Sequence, residues 1–396
     1  MLADNDAGGV ISYAVTGAQF GIGIFLPLVL LLAPLTYTVQ ELSLRLGAVT
    51  QEGFAKLAMR RYGTFWGYYH ISTLAFENIL TLMTEFIGMT AGLVLLGIPM
   101  VAGTLLCLVL ITLFVVFTGY WTKERIALLL ALLNGTFLVV AFLTHPSGAE
   151  IAKAFTAWTL PAGAASHGLL VYVLALIGNA IAPWMIFFQG SGSIDKGVTA
   201  RDLRFGRIDT AVGAVLQIIV AAGIIVLGAS LVGRVAHLGN LGPAQIIAAL
   251  DRVTGRVPAL LFGFGLFNAG FVAAITVALS SSWSIAEIFG WSKSLNDTPR
   301  QAPGFYGIYI GCLVIAAGAI LIPHVPLNAV AVLTQILGGV LMTPILFFIV
   351  LMASDQRLMG EHRTKGIGRA WAWLMVALLV GLTLTAAWQA MAGIRV

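Results

Sequence analysis

An acidic, glycine-rich cluster at the head of an apolar run is the first feature with chemistry in it. The segment reads Asp4-Asn5-Asp6-Ala7-Gly8-Gly9, and a short apolar stretch, 10–20, follows. A carboxylate at membrane depth is costly to hold and marks an ion or proton path by default. Asp6 is therefore the strongest single candidate. The four residues Asp6-Ala7-Gly8-Gly9 are expected to break the helix and free backbone carbonyls for a cation. A second interruption, Ala182-Pro183, falls five apolar spans later. Proline cannot donate to the helix ladder and clashes with the preceding turn. Glu85 has apolar residues on both sides, and Glu77 lies about two turns earlier on roughly the same helix face. Gln335, within an apolar run, offers a neutral oxygen ligand or an interhelical hydrogen bond. Glu41 stands four residues before Arg45, the spacing of an ion pair. The histidines at 70, 145, 167, 237, 324 and 362 lie near ends or loops, His70 deepest, so a histidine relay inside the membrane is not expected. Cys107 and Cys312 read as small buried hydrophobes, not as a disulfide or metal site.

The elements that must position these residues follow from composition. Of 396 residues 59% are hydrophobic and 9% charged. A soluble domain carries about a quarter charged residues, so the chain cannot cover a water-facing globule. Disorder needs the opposite composition. Apolar stretches of roughly 20 residues recur from end to end, the length of a bilayer-crossing helix, where a membrane β-barrel would alternate in segments of about 10. The expected class is an all-α integral membrane protein of about eleven spans: 10–20 (short), 24–46, 64–96, 101–120, 126–143, 168–189, 210–232, 258–285, 305–322, 326–352 and 370–391. The segment 51–62 is amphipathic and basic, suited to the interface, and 243–253 is a second amphipathic piece.

Charge orients these spans. The loops after the even-numbered spans hold 16 of the 21 Lys and Arg residues, and the opposite side holds five: Lys153, Arg234, Arg252, Arg256 and Arg395. The even loops and the N-terminus are thus expected in the cytoplasm and the C-terminus outside, in a bacterial plasma membrane. Breaks in spans one and six are offset by an odd number of spans, which inverts the second half relative to the first. The expected organisation is a single transport domain, 1–396, with repeats 1–145 and 146–354 and an extra helix in 355–396. A substrate site belongs at the interface of such repeats.

These residues resemble a family. Asp6-Ala7-Gly8-Gly9 followed by Val10-Ile11-Ser12-Tyr13 looks like the first-helix region of the NRAMP divalent-metal transporters, whose signature is Asp-Pro-Gly-Asn. The similarity runs along most of the chain, through Gln40-Glu41-Leu42, Arg45-Leu46-Gly47, Glu85-Phe86-Ile87-Gly88 and Gln335. It implies a LeuT-like fold with the first and sixth helices broken, and inward carriage of divalent metal, typically manganese or iron with protons. By the family's alignment the metal site would draw on Asp6, Gly9, Gln335, Ala182, Asn179 and a backbone carbonyl near Ala3.

The departures shape the expected function. The family's sixth-helix Met-Pro-His is Ala182-Pro183-Trp184 here, so the soft thioether that favours transition metals is gone. The first-helix asparagine is Gly9. A second family histidine is Gln189, and the third-helix aspartate is Leu82, leaving Glu85 on the proton side. An oxygen-donor site with spare volume suits Mg²⁺, which keeps several of its waters. The resemblance is closest to the NRAMP-related magnesium transporters, which implies Mg²⁺ uptake by alternating access without proton coupling. The alternatives are a proton-coupled Mn²⁺/Fe²⁺ symporter, a LeuT-like carrier of a small organic solute, and a non-transporting sensor. The family's first helix also has an apolar half before the aspartate, so an upstream segment or a different start is expected. No phosphate-binding loop is present, which argues against a pump. Neither enzyme activity nor a resident cofactor is expected. The partners are the metal ion and the bilayer, without nucleic acid, and the simplest assembly is a monomer.

Overall fold

The computed structural model describes residues 5–159, 169–232 and 242–391. Its elements are helices throughout these residues. A segment in hydrocarbon must satisfy every backbone N–H and C=O internally, which a long apolar run achieves only as a helix. In chain order they are α1 (Ala7–Phe20), α2 (Phe25–Thr50), α3 (Phe54–Tyr62), α4 (Thr64–Leu95), α5 (Met100–Phe117), α6 (Tyr120–Leu133), α7 (Thr136–Leu143), α8 (Gly148–Ala157), α9 (Leu169–Ala180) and α10 (Pro183–Asp195). They continue as α11 (Leu203–Ala229), α12 (Pro243–Thr254), α13 (Arg256–Phe289), α14 (Pro303–Ile320), α15 (Leu327–Ser354), α16 (Gln356–Met359) and α17 (Gly366–Met391).

Among the described residues, ten helical segments are long and apolar enough to cross a membrane, with α6–α7 and α9–α10 each forming one. The stretch expected as a short first span is the 14-residue α1, which is not one of these ten. The amphipathic pieces emerge as α3 and α12. Three local expectations change. The connection after span five contains α8, capped by the Ser147 hydroxyl on the Glu150 N–H at 3.3 Å. Span five divides at Asn134-Gly135. Span six continues past Gln189 to Asp195, which shortens the charged loop after it. Ala3, His167, Arg234, His237 and Arg395 lie outside the described residues.

Small residues bring the helices together. A Cβ on Gly17 would lie 2.1 Å from the Ile225 carbonyl, and one on Gly228 the same distance from the Ala14 carbonyl, so α1 and α11 meet backbone to backbone. Gly178 and Gly339 do the same for α9 and α15. Lipid gives apolar helices no reason to associate, so such close packing and interhelical hydrogen bonds must hold the bundle. Asn78 of α4 supplies one clasp. Its amide donates to the Val277 carbonyl and to the Ser280 and Ser281 hydroxyls of α13 at 2.7–3.0 Å. Asn134, at the α6–α7 break, accepts from Asn268 of α13 at 2.8 Å. At the basic end of the bundle, Glu41 accepts from Arg45 at 3.0 Å and from Arg207 at 2.9 Å. His70 is fully buried among the rings of Phe54, Trp66, Tyr69 and Phe348, where it serves packing.

Candidate functional site

Helix α1 starts at Ala7 because Asp6 is built to cap it. Asp6 has extended backbone (φ −69°, ψ 164°), and its carboxylate accepts the Gly9 N–H. This corrects the expected position of the first break. Gly8 and Gly9 form the first helical turn, and α1 begins directly after Asp6. An aspartate N-cap satisfies an N–H that the helix leaves orphaned, which outweighs the weak helical preference of two glycines. Their role is close approach. A Cβ on Gly8 would lie 2.5 Å from the Thr84 hydroxyl and 2.6 Å from Gln335 Nε2. One on Gly9 would lie 2.9 Å from Asp6 Oδ1 and 3.6 Å from Asn179 Oδ1. The first turn of α1 therefore sits among Asp6, Asn179 and Gln335.

The second break is where expected. Helix α9 ends at Ala180, Ala182 is extended (φ −64°, ψ 149°), and Pro183 opens α10 at the position where its missing N–H costs nothing. A helix leaves its last carbonyls without intrahelical donors. At α9 the Ala180 carbonyl accepts from Thr36 Oγ1 at 3.3 Å and Gln217 Nε2 at 3.4 Å. Asn179, one residue earlier, faces the α1 turn.

The acidic residues belong to the same neighbourhood. Glu85 Oε2 accepts the Ala7 N–H at 2.9 Å. Glu77 accepts from the Thr81 hydroxyl at 2.9 Å. A Cβ on Gly338 would lie 3.7 Å from Glu77 and 3.8 Å from Pro183 Cδ, which places Glu77 beside the second break. Asp6 acts electrostatically on both glutamates. Asp6, Glu77 and Glu85 are each at most 1% exposed. This cluster of buried acidic groups makes a site whose field attracts a cation. The positive end of the α1 dipole offsets it only in part.

Around them are polar atoms with no hydrogen-bond partner among the described residues: both ends of the Asn179 amide, Gln335 Nε2, Gln217 Oε1 and Asn5 Oδ1. Buried polar atoms are nearly always satisfied, so such a concentration is what a hydrated ion would fill. An amide can present either its oxygen or its nitrogen. Among the described residues no three His, Cys, Asp or Glu side chains form a ready metal cluster. The side chains gathered here bring a carboxyl group from Asp6 and amides from Asn179 and Gln335.

The expected residues Asp6, Gly9, Asn179 and Gln335 are thus brought together, with Ala182 at the break beside them and Glu85 on the adjoining turn. Residues not expected from sequence are Thr84, which faces Gly8, and Thr36 and Gln217, which hold the end of α9. Asn5 ties the chain ahead of α1 to α11 by donating to the Gln217 carbonyl at 3.0 Å. Gln217 carried the signal that singled out Gln335, a lone amide in an apolar run. Thr84 and Thr36 carried none.

Comparison with known proteins adds to this geometry. Residues 1–389 match the family described as natural resistance-associated macrophage protein-like. The divalent metal cation transporter MntH of Levilactobacillus brevis is 25% identical over 404 residues, covering 96% of this chain and 85% of that protein. The divalent metal cation transporter MntH 1 of Pseudomonas aeruginosa is 25% identical over 390 residues, covering 93% and 85%. The solved manganese transporter of Eremococcus coleocola superposes with a TM-score of 0.76 at 18% identity, covering 97% of this chain and 84% of that one. MhsT in complex with L-phenylalanine superposes with a TM-score of 0.58 at 14% identity, covering 96% and 98%.

Proposed function

From the premise that this chain belongs to the natural resistance-associated macrophage protein-like family, we propose that it carries a divalent metal ion across the membrane by alternating access. The relatives that match it along nearly its whole length are named divalent metal cation transporters. The observation that carries the reading is the convergence of Asp6, Asn179 and Gln335 at the two helix breaks. There, the Asn179 and Gln335 amides keep polar atoms unpartnered among the described residues, beside the buried carboxyl groups of Glu77 and Glu85. We assign the ion to Asp6, the Asn179 and Gln335 amides, and backbone carbonyls at the break around Ala182. Gly9 provides the room for retained water. The ion would sit between repeats 1–145 and 146–354, with the N-terminus cytoplasmic and the C-terminus external in a bacterial plasma membrane.

The donor set favours a hard cation. Mg²⁺ takes oxygen ligands and gives up its waters reluctantly. Ala182 supplies no thioether to draw a softer metal. The membrane potential favours inward movement of a doubly charged ion by about 4.6 kcal/mol per 100 mV, twice the value for one charge. Mg²⁺ uptake without proton coupling is the first reading. The second is proton-coupled Mn²⁺ uptake. It is supported by the manganese transporter among the similar structures and by Glu77 and Glu85, two buried carboxyls beside the breaks.

Uptake of Mg²⁺ and of Mn²⁺ into proteoliposomes at two pH values, with a dye reporting internal pH, separates the readings. Potential-driven Mg²⁺ influx without acidification, abolished in Asp6→Ala, supports the first. Mn²⁺ influx with acidification, and no Mg²⁺ influx, supports the second. An Asp6→Ala variant that carries either ion at the parental rate removes the site assignment.

A further inference from the structure

We propose that Glu85, with a notch formed by Gly88 and Gly270, is a latch that holds the first turn of α1 against α4 and α13 and must release for the metal site to change access. Along its length α1 lies mainly on α11. Its first turn instead reaches across to α4 and α13. Ala7 is fully buried there, and the fit is tight. A Cβ on Gly88 would lie 2.3 Å from the Ala7 Cβ. One on Gly270 would lie 3.5 Å from that Cβ and 2.8 Å from the Glu85 carbonyl. Gly88 on α4 is what leaves space for the Ala7 methyl group, while Gly270 lets α13 close on the Glu85 carbonyl beside it.

The same residue is held by its backbone. The Ala7 N–H is one of the four that a helix start cannot satisfy internally. Glu85 Oε2 takes it at 2.9 Å. The other carboxylate oxygen is within 3.3 Å of the Thr84 hydroxyl. Asp6 immediately precedes Ala7, so any movement that exposes Asp6 to one side must carry Ala7 with it. That movement withdraws a buried N–H from a buried carboxylate and a methyl group from its notch. Such a contact has two states, seated or released, and gives an abrupt transition where a loosely packed turn would give a gradual one. Glu85 is thereby a positioning residue, acting on the ion through the helix that bears Asp6.

The inference rests on the transport reading, and its test is arranged to fail separately. The full chain is reconstituted as parent, Gly88→Ala, Ala7→Gly, the combined Ala7→Gly/Gly88→Ala, Glu85→Ala and Glu85→Gln. Gly88→Ala is expected to lower the maximal metal uptake rate by about ten-fold, with half-saturation changed by less than about three-fold. Ala7→Gly in the same chain removes the colliding methyl group and is expected to restore the rate to within about two-fold of Ala7→Gly alone. By hydrogen–deuterium exchange, Glu85→Ala should speed exchange of the first turn of α1 by about ten-fold, whereas Glu85→Gln, which keeps an acceptor oxygen, should not. A combined variant as slow as Gly88→Ala overturns the notch. Unchanged exchange in Glu85→Ala overturns the hydrogen bond. A parent that carries neither Mg²⁺ nor Mn²⁺ ends the transport reading, and the exchange contrast still decides the latch. The same contrast decides it if Gly88→Ala does not fold.

Discussion

Asp6 performs two tasks, and Asp6→Asn separates them. It caps α1 through the Gly9 N–H, and it places a carboxylate in a pocket where it is 1% exposed. Asparagine caps a helix about as well as aspartate, so α1 should start at the same residue; Ala at this position forfeits about 1 kcal/mol. The charge is what Asn removes. Two unit charges 4 Å apart at an effective dielectric of 20 interact by about 4 kcal/mol, and a divalent ion doubles that. Desolvation of the ion and of the carboxylate takes back a large part, leaving a net loss of about 3 kcal/mol, or more than about a hundred-fold in affinity. In the metal-free protein the sign reverses, because removing the Asp6 charge removes the cost of burying it. Metal-free Asp6→Asn should therefore melt at or above the parent. With metal at about a hundred times the parental dissociation constant, the parent gains about 2.7 kcal/mol and the variant almost nothing. Thermal melts in detergent with and without Mg²⁺ or Mn²⁺, paired with uptake into proteoliposomes, measure both effects. An Asp6→Asn protein that binds metal within about three-fold of the parent would refute the electrostatic reasoning and reassign the site.

Further outcomes test the rest of the fold and site. Ala182→Met should raise Mn²⁺ or Cd²⁺ affinity relative to Mg²⁺ by about ten-fold, read by competition binding; an unchanged ratio means that position 182 does not reach the ion. Asn78→Ala removes the donor shared by Val277, Ser280 and Ser281 and should cost about 1–2 kcal/mol in a detergent unfolding titration, close to the upper range for such contacts. Gly17→Leu drives a side chain into the Ile225 carbonyl and should cost about 1–3 kcal/mol or more, whereas Gly381→Leu, with nothing within 4 Å of its Cβ, should melt with the parent. Partial burial pushes the Asp355 carboxyl up, but the Arg357 backbone N–H and the Arg61 guanidinium outweigh it and hold it below the ordinary carboxylate range. A depressed pKa contributes stability above the unfolded value and loses it as pH falls through the folded one. Asp355→Asn should thus flatten the loss of stability below about pH 4, seen in melts across that range.

The amino-acid sequence by itself determined the membrane class, the general span pattern and the helix break at Ala182-Pro183. It did so because these follow from local chemistry. Long apolar runs must be helical in lipid, proline cannot continue a helix, and a mid-membrane carboxylate stands out against its neighbours. Asp6, Gln335 and Glu85 were legible for that reason, and so was the Glu41–Arg45 pair, set by one turn of helix. Family resemblance pointed to Asn179 and to the place of Ala182 at the site. Tertiary structure alone decided how these parts meet. It put Gly8 and Gly9 inside α1, because Asp6 found the Gly9 N–H and the glycines were needed for contact with Thr84, Gln335 and Asn179. Glu85 was brought to the backbone of Ala7, 78 residues away in sequence, and Glu77 to the second break. Thr36 and Gln217 were assigned to the end of α9. Each of these depends on which face of one helix meets which face of another. That is set by small-residue notches such as Gly88 with Gly270, whose partners are distant in the chain and leave no periodic trace in it.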